Sequence, residues 1–478
     1  MGTRRDALRR SWTVGISVVV TAGLCAGAIV ADAFDLIPGA ITMHPVNVRT
    51  FDDPRGAVAP AGLVADLESD VPLDPAAVTR AADEFAASAG VGADYSLVVA
   101  GQDGTVALDR NGAVAREPAS TMKTITAFAA SLALDTDSTL DTETRLVTDG
   151  GTATVTLTGH GNMLLGSGES DPDHVNGRAG LGTLARATAQ ALEAQGITVV
   201  NLAYDGSLFG APVTPAGIEQ NNGDHRYATP VTAMAVDGGR IWGAEARPSD
   251  PDDGHVYPEL SFTTVEDAAK VFAERLAEQG ITVNGTPAAG ATPDAEPIAT
   301  VRSATIGELM TYALRNSDNT QAELLGRLVA LRDGAENSPA GAVAAVRARL
   351  QQAGIPMDGL VMADCSGLTP GSTATVETLL QVQIAAMRSG NATAAFAEGL
   401  PVSGLTGTLG LATRGFTADA KGLVRGKTGS LTGVRSLAGN VSRRSGGILY
   451  FAVIVNNSQD PASAVTAIDR LASALSAL

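Results

Sequence analysis

Lysine is nearly missing from this 478-residue chain. Lys123, Lys270, Lys421 and Lys427 are all there are, and arginine supplies the other 29 positive charges (33 − 4). Aromatic residues make up only 4%, which argues against a large flat aromatic binding surface. There are two cysteines, Cys25 and Cys365, and Cys25 lies in an apolar N-terminal run. The body therefore has one thiol and no internal disulfide, and zinc-type Cys/His spacing is absent. The five histidines show no pairing at helical ligand spacing, so a metal site is unsupported. No block of like charges forms a tail, and no fixed-period repeat occurs. The net charge of −18 excludes a broad face for nucleic acid or anionic lipid, and it serves solubility.

A chain of this length and 45% hydrophobic content exceeds one ordinary core, which predicts two or three domains. Arg4, Arg5, Arg9 and Arg10 precede an uncharged run from Thr13 to Val30, followed by Ala31-Asp32-Ala33. A basic region, an apolar region and small residues make an export signal. The run also has the length of a membrane anchor, and the two readings stay open. The expected division is 1–34 signal or anchor, then 35–75 linker, which holds Pro38, Pro45, Pro54, Pro60, Pro72 and Pro75.

Beyond it, periodicity predicts a helix from Pro75 and a hairpin of Tyr95–Ala100 with Thr105–Asp109. A long apolar helix is predicted to start at Ser120. The texture changes between 144 and 299, where short strands alternate with helices. A strongly helical stretch is predicted from Thr305 through Arg327, with Ser317 and Asn319 in a helix-to-loop context between Arg315 and Gln321. Strands at Ser436–Val441 and Ile448–Val455 and a last helix at Ala462–Leu475 close the chain.

Three short motifs stand in order: Ser120-Thr-Met-Lys123, Ser317-Asp-Asn319 and Lys427-Thr-Gly429. Ser and Lys three apart on a helix share a face. A serine hydroxyl needs an adjacent base to become a nucleophile, and lysine serves only when neutral. Burial or a second cation lowers its pKa, and Lys427 is the candidate second cation. The start of a helix also favours a developing oxyanion at Ser120. Ser317 is placed to pass a proton to a leaving amine. Asn319 is placed to hold a substrate amide or to orient Lys123. Gly429 allows close backbone approach ahead of a strand, with Lys427 and Thr428 to meet a carboxylate and the Ser430 N–H as an oxyanion donor. Alone, a Ser-x-x-Lys is weak evidence. Its conjunction with the other two motifs, using half the lysines, is strong.

With these motifs the chain resembles the low-molecular-mass class C penicillin-binding proteins, the D-alanyl-D-alanine carboxypeptidases and endopeptidases. Further likeness lies in Asp205-Gly-Ser-Leu-Phe209, Tyr227–Met234, Asp364-Cys-Ser-Gly-Leu368 and Gly407-Thr-Leu409. Cys365 stands where glycine is usual and reads as a packing residue. The 197 residues between Ser120 and Ser317 (317 − 120) match a family that inserts one or two domains there.

The resemblance implies an α/β (α+β) fold. A β-lactamase/transpeptidase-like domain, an antiparallel sheet flanked by helices, is formed from 76–143 and 300–478. A mixed α/β region at 144–299 is inserted between the first and second motifs. It also implies a serine D-Ala-D-Ala carboxypeptidase or endopeptidase acting on peptidoglycan stem peptides. Ser120 is then the acylated residue, Lys123 the base and Ser317 part of the proton path, with Asn319, Lys427, Thr428, Gly429 and Ser430 on the substrate. β-Lactams are implied as acylating inhibitors, with no cofactor, no metal and no nucleic acid. Export puts the body outside the cytoplasmic membrane, with membrane contact only through the N-terminal segment. The rival readings are a serine β-lactamase and a non-catalytic wall-binding module. Glu377-Thr-Leu-Leu-Gln381 lacks the asparagine of a class A deacylation loop, and the intact motif residues disfavour a non-catalytic role.

Overall fold

The computed structural model describes residues 3–34, 36–37, 72–243 and 245–478, with the side chains of the first helix from residue 17 on. That helix, Thr3–Ala33, belongs to a separate N-terminal unit. Among the described residues no helix is long and apolar enough to cross a membrane. The arginine side chains of the expected signal and most of the expected linker lie outside the described residues.

The second unit is organised around a five-stranded sheet. Its order is Val424–Leu431, Val434–Ser442, Ile448–Val455, Tyr95–Ala100 and Val106–Arg110, with every neighbouring pair antiparallel. The register sets Leu97 opposite Val453 and Val99 opposite Phe451. Successive side chains point to opposite faces. Leu97, Val99, Phe451 and Val453 therefore meet one core, together with the helices Pro75–Ala86 and Pro461–Ser476. Val98, Ala100, Ala452 and Ile454 meet the other, beneath a layer of helices. Pro75 opens its helix at the position where a missing N–H costs nothing, behind Asp74, whose carboxylate accepts the Ala76 N–H at 2.9 Å.

At the centre of the helical layer runs Met122–Ala133. Ten of its twelve residues are buried, so it is enclosed on all sides, with Lys123, Thr124, Thr126 and Ser131 buried among its apolar residues. Phe128 packs edge-on against Phe396. A single 3-10 turn, Ala119–Thr121, leads into it and carries Ser120.

The helical stretch expected from Thr305 through Arg327, with a helix-to-loop context between Arg315 and Gln321, is two helices, Ile306–Asn316 and Asn319–Asp333. Ser317 adopts a left-handed conformation (φ 56°) that ends the first, and the Asp318 carboxylate accepts the Gln321 N–H at 2.9 Å to begin the second. Aspartate favours such an N-cap over a helix interior, whereas the left-handed turn at Ser317 is a conformation disfavoured for a residue with a Cβ. The Lys427-Thr-Gly429 motif likewise does not precede its strand but lies within it, on the edge of the sheet.

Between the first two motifs the chain builds a second, mixed sheet. Pro297–Thr305, Thr139–Asp149 and Thr152–Gly159 pair antiparallel, and Val199–Asp205 joins parallel to Thr152–Gly159. Helices Leu181–Glu193 and Thr264–Glu278 enclose its core, which includes Val155, Leu157, Leu202 and Phe272. The first and last strands pair with each other, Thr139 opposite Thr305. They carry the sheet five residues before (144 − 139) and six residues after (305 − 299) the segment expected from sequence texture.

The edge strand presses directly on the turn that holds Ser120. A Cβ at Gly429 would collide with Ser436 Oγ and lie 2.6 Å from the Pro118 carbonyl oxygen and 3.1 Å from the Ser120 nitrogen. Gly429→Ala is expected to destabilise this unit by about 1–3 kcal/mol through overpacking. Chemical denaturation measures it, and an unchanged midpoint would show that the strand has room to retreat.

Candidate active site

Two hydrogen-bonded groups meet where the edge strand, the central helix and the Ser317 turn converge. In the first, the Lys123 ammonium donates to Ser120 Oγ at 2.9 Å, Asn319 Oδ1 at 2.6 Å and the Ser366 carbonyl at 2.8 Å. Asn319 in turn donates through Nδ2 to the Tyr227 carbonyl at 2.8 Å, which fixes the orientation of its amide. In the second, Lys427 Nζ donates to Ser317 Oγ and to the Thr428 carbonyl, both at 2.8 Å, and the Thr428 hydroxyl donates to Thr408 Oγ1 at 2.8 Å. Both lysines are buried, Ser120, Ser317 and Asn319 are half-buried, and Ser430 is exposed. All eight residues expected from sequence thus converge around one cleft.

Ser120 is presented by a strained turn. Ala119 has a positive φ of 49°, a conformation disfavoured for a residue with a Cβ. Gly367 sits beneath it, also at positive φ (79°), where a Cβ would collide with the Ala119 carbonyl oxygen. The loop containing Gly367 is held by Asp364. Its buried carboxylate accepts the Ser366 hydroxyl at 2.8 Å and the backbone N–H groups of Ser366, Gly367 and Thr369 at 3.1, 2.6 and 2.7 Å. That loop aims the Ser366 carbonyl at Lys123.

Burial pulls the pKa of Lys123 from 10.5 down to about 8, against the upward pull of Asp364, Asp318 and Glu323. Lys427 is driven well below its ordinary value, by burial first and then by the positive charges of Lys123 and Arg414. Sequence alone makes Lys427 the cation that depresses Lys123. Here burial dominates at both, and Lys123 acts on Lys427. Glu323, buried beside Asp364, is pushed up to about 8 by desolvation and by that neighbouring carboxylate, while it accepts the Cys365 N–H at 2.9 Å. The Cys365 thiol is buried and its pKa is raised by desolvation. A Cβ at Gly326 would collide with its sulfur, so it fills space rather than reacts.

Asp364, Glu323, the Ser366 and Tyr227 carbonyls and Thr408 were not assigned roles from sequence. Their signal was present, since Asp364–Leu368, Tyr227–Met234 and Gly407–Leu409 all carry the family likeness. They act through backbone groups or on neighbouring residues, and such contacts leave no residue-type signature. Chemically, a buried amine of lowered basicity touches a serine hydroxyl on a strained helix entry. A second lysine, two hydroxyls and an open strand edge lie beside it. This is the equipment of nucleophilic acyl transfer.

Residues 79–257 and 259–478 match the family described as D-Ala-D-Ala carboxypeptidase 3 (S13). The chain is 31% identical to a carboxypeptidase of Mycobacterium tuberculosis over 422 residues, which is 87% of either chain. It is also 31% identical over 469 residues to carboxypeptidase DacB of Mycolicibacterium smegmatis, covering 96% of this chain and 94% of that one. Among solved structures it is similar in fold to penicillin-binding protein 4 of Haemophilus influenzae. The TM-score is 0.66 at 21% identity, over 85% of this chain and all of the other. A match that spans nearly the whole second unit, with the Ser-Lys, Ser-Asp-Asn and Lys-Thr-Gly residues gathered at one cleft, makes the chain a serine peptidase belonging to the D-Ala-D-Ala carboxypeptidase 3 (S13) family.

Proposed function

We propose that this chain hydrolyses the terminal D-Ala-D-Ala bond of peptidoglycan stem peptides through an acyl-enzyme at Ser120. The observation that carries the reading is the 2.9 Å hydrogen bond between Ser120 Oγ and a buried Lys123 whose pKa is about 8. In its neutral form Lys123 takes the hydroxyl proton as Oγ attacks the penultimate D-Ala carbonyl. The N–H groups of Ser120 and Ser430 hold the oxyanion, and the substrate backbone lies along the open edge of Val424–Leu431. The proton held by Lys123 passes by way of Ser317, which is bonded to Lys427, to the departing D-Ala nitrogen, so that Lys123 is neutral again and Ser317 keeps its hydroxyl. Lys427 and Thr428 hold the carboxylate of that D-Ala, whose negative charge restores a proton to the depressed Lys427. Water then releases the acyl group, with Lys123 again as base. Asn319 orients Lys123 from one side while the Ser366 carbonyl does so from the other.

β-Lactams, which mimic the acylated bond, are the expected covalent inhibitors. The basic stretch Arg4–Arg10 and the uncharged run after it support work outside the cytoplasmic membrane, with that segment as the only membrane contact.

Ser120→Ala is expected to abolish both the labelled-penicillin adduct and D-alanine release from a pentapeptide, by about 10³-fold or more. D-alanine release that survives the substitution would sink the reading.

The pH dependence follows from Lys123. The base must be neutral, so kcat/KM for the pentapeptide should climb with pH, with an apparent pKa of about 8, and then level off. Lys123→Arg, which stays protonated, should lose about 10²-fold or more at every pH and show no such rise. Stability carries the same sign. Between about 8 and the ordinary 10.5 the unfolded chain binds the proton that the folded protein does not, so Lys123 alone makes stability rise with pH across that window. A rate profile flat from pH 6 to 10 would remove Lys123 as the base.

A further inference from the structure

The region between the first two motifs grips the Ser317-Asp-Asn319 turn on both sides of its serine. Asn316 donates through Nδ2 to the Asp252 carbonyl at 3.0 Å and accepts the Gly254 N–H at 3.3 Å. Asn319 donates through Nδ2 to the Tyr227 carbonyl, and the Thr229 N–H donates to Thr320 Oγ1 at 3.0 Å. Asp318 is held by a charge instead, with Arg240 3.5 Å from its carboxylate. Ser317 stands between these contacts in its left-handed conformation.

Arg240 is aimed at that carboxylate by its own support. Its side chain is only 10% exposed and that of Asp318 15%, so the pair is largely shielded from water. It leaves the turn Asp237-Gly-Gly239, in which all three residues have positive φ (51°, 64° and 78°). A Cβ at Gly238 would lie 3.1 Å from Arg240 Nη1. Positive φ is uncommon for aspartate, and here side-chain bonds hold it. The buried Asp237 carboxylate accepts Asn176 Nδ2 and Trp242 Nε1, both at 2.6 Å, and pairs with Arg240 at 3.4 Å and Arg247 at 3.3 Å. One guanidinium thus bridges two carboxylates, Asp237 in the intervening region and Asp318 in the second motif. Asp318 Oδ1 takes the Gln321 N–H, and Arg240 faces the other oxygen.

We propose that Arg240 is a positioning residue for the reaction, holding Asp318 and through it fixing where Ser317 and Asn319 meet the two lysines. The inference rests on the peptidase reading above. Arg240 touches neither substrate nor reacting atoms. It secures the turn that sets Ser317 against Lys427 at 2.8 Å and Asn319 against Lys123 at 2.6 Å. It also offsets the charge of Asp318, one of three carboxylates that pull the Lys123 pKa upward. Asp364 and Glu323 are the other two, and Lys427 faces Lys123 from the edge strand. Tyr257 and Tyr312 stand beside the Arg240–Asp318 pair. Burial holds both phenols above their usual range, so neither titrates below about pH 10.

The test follows kcat/KM for the pentapeptide and the rate of penicillin acylation of Ser120 against pH, in the full chain. Arg240→Gln should lower both about tenfold or more. It should also move the midpoint of the pH rise upward by about 0.5, because Asp318 then acts on Lys123 unopposed. Arg240→Lys keeps the charge but loses the fork, so it should restore the midpoint and part of the rate. Asp318→Asn keeps the helix cap and should move the midpoint downward. On that background Arg240→Gln should change the rate less than about twofold. Thermal unfolding of each variant reports the folded fraction. A loss in Arg240→Gln that only tracks the folded fraction, with the midpoint unmoved, makes the residue structural and overturns the proposal. So does a wild-type rate in Arg240→Gln, or additive losses in the double variant. If Arg240→Gln does not fold, the Asp318→Asn midpoint decides: a downward move supports the bridge and an unmoved one overturns it. A wild type that is acylated by penicillin but releases no D-alanine sinks the peptidase reading, and the acylation rates then decide the bridge. One that does neither sinks both.

Discussion

One buried ammonium ties the active site together. Lys123 reaches its three acceptors across the chain: Ser120 three residues away, Asn319 at 196 and Ser366 at 243. A lysine in this position must be fully hydrogen-bonded or it costs several kcal/mol, on the order set by burying an unpaired charge. The central helix, the Ser317 turn and the Asp364 loop are thus fixed relative to one another by the group whose basicity the chemistry needs. Burial depresses its pKa, and the nearby carboxylates stop that depression at about 8 rather than lower. Stability and reactivity are set by the same three contacts.

The second constraint is steric. Two glycines let backbone approach backbone where a side chain cannot fit. Gly429 brings the edge strand onto the Ser120 turn, and Gly367 brings the Asp364 loop under Ala119. Between them they clamp a turn that is itself strained at Ala119. The hydroxyl of Ser120 is exposed to the cleft because its backbone is gripped on both sides.

Much of this was legible in the amino-acid order, and what was not has physical causes. Tyr95–Ala100 and Ile448–Val455 were readable because apolar side chains fill both of their faces. Thr139–Asp149 was not, because threonines such as Thr142 and Thr144 take its inward positions and blur the alternation. The break at Ser317–Asp318 was legible as a helix-to-loop context, but not as two capped helices, because strong helical patterns flank it on both sides and one left-handed residue suffices to make it. The Lys427 strand was placed too far toward the C-terminus because Gly426 and Gly429 lack the side chains by which a strand is read, while the close approach expected at Gly429 is what the structure has there. The reactive residues were found from their types and order. Some of the residues that hold them act through backbone carbonyls, as Ser366 and Tyr227 do, which every residue type owns, and Asp364 acts on Lys123 only through the loop it ties.

The pairing of Thr139 with Thr305 bears on how the molecule assembles. Those two residues are 166 positions apart (305 − 139), yet they sit side by side where the second sheet leaves and rejoins the catalytic unit. Bridging such a length costs little at equilibrium, about 0.6 kcal/mol for each doubling. In time it is expensive, because distant segments find one another slowly. Once the second sheet has closed on its own hydrophobic core, the helix of Lys123 and the helix that ends at Ser317 are joined by what is effectively a hairpin. The intervening region is then a folding device for the catalytic unit, shortening the search that brings its first two motifs together.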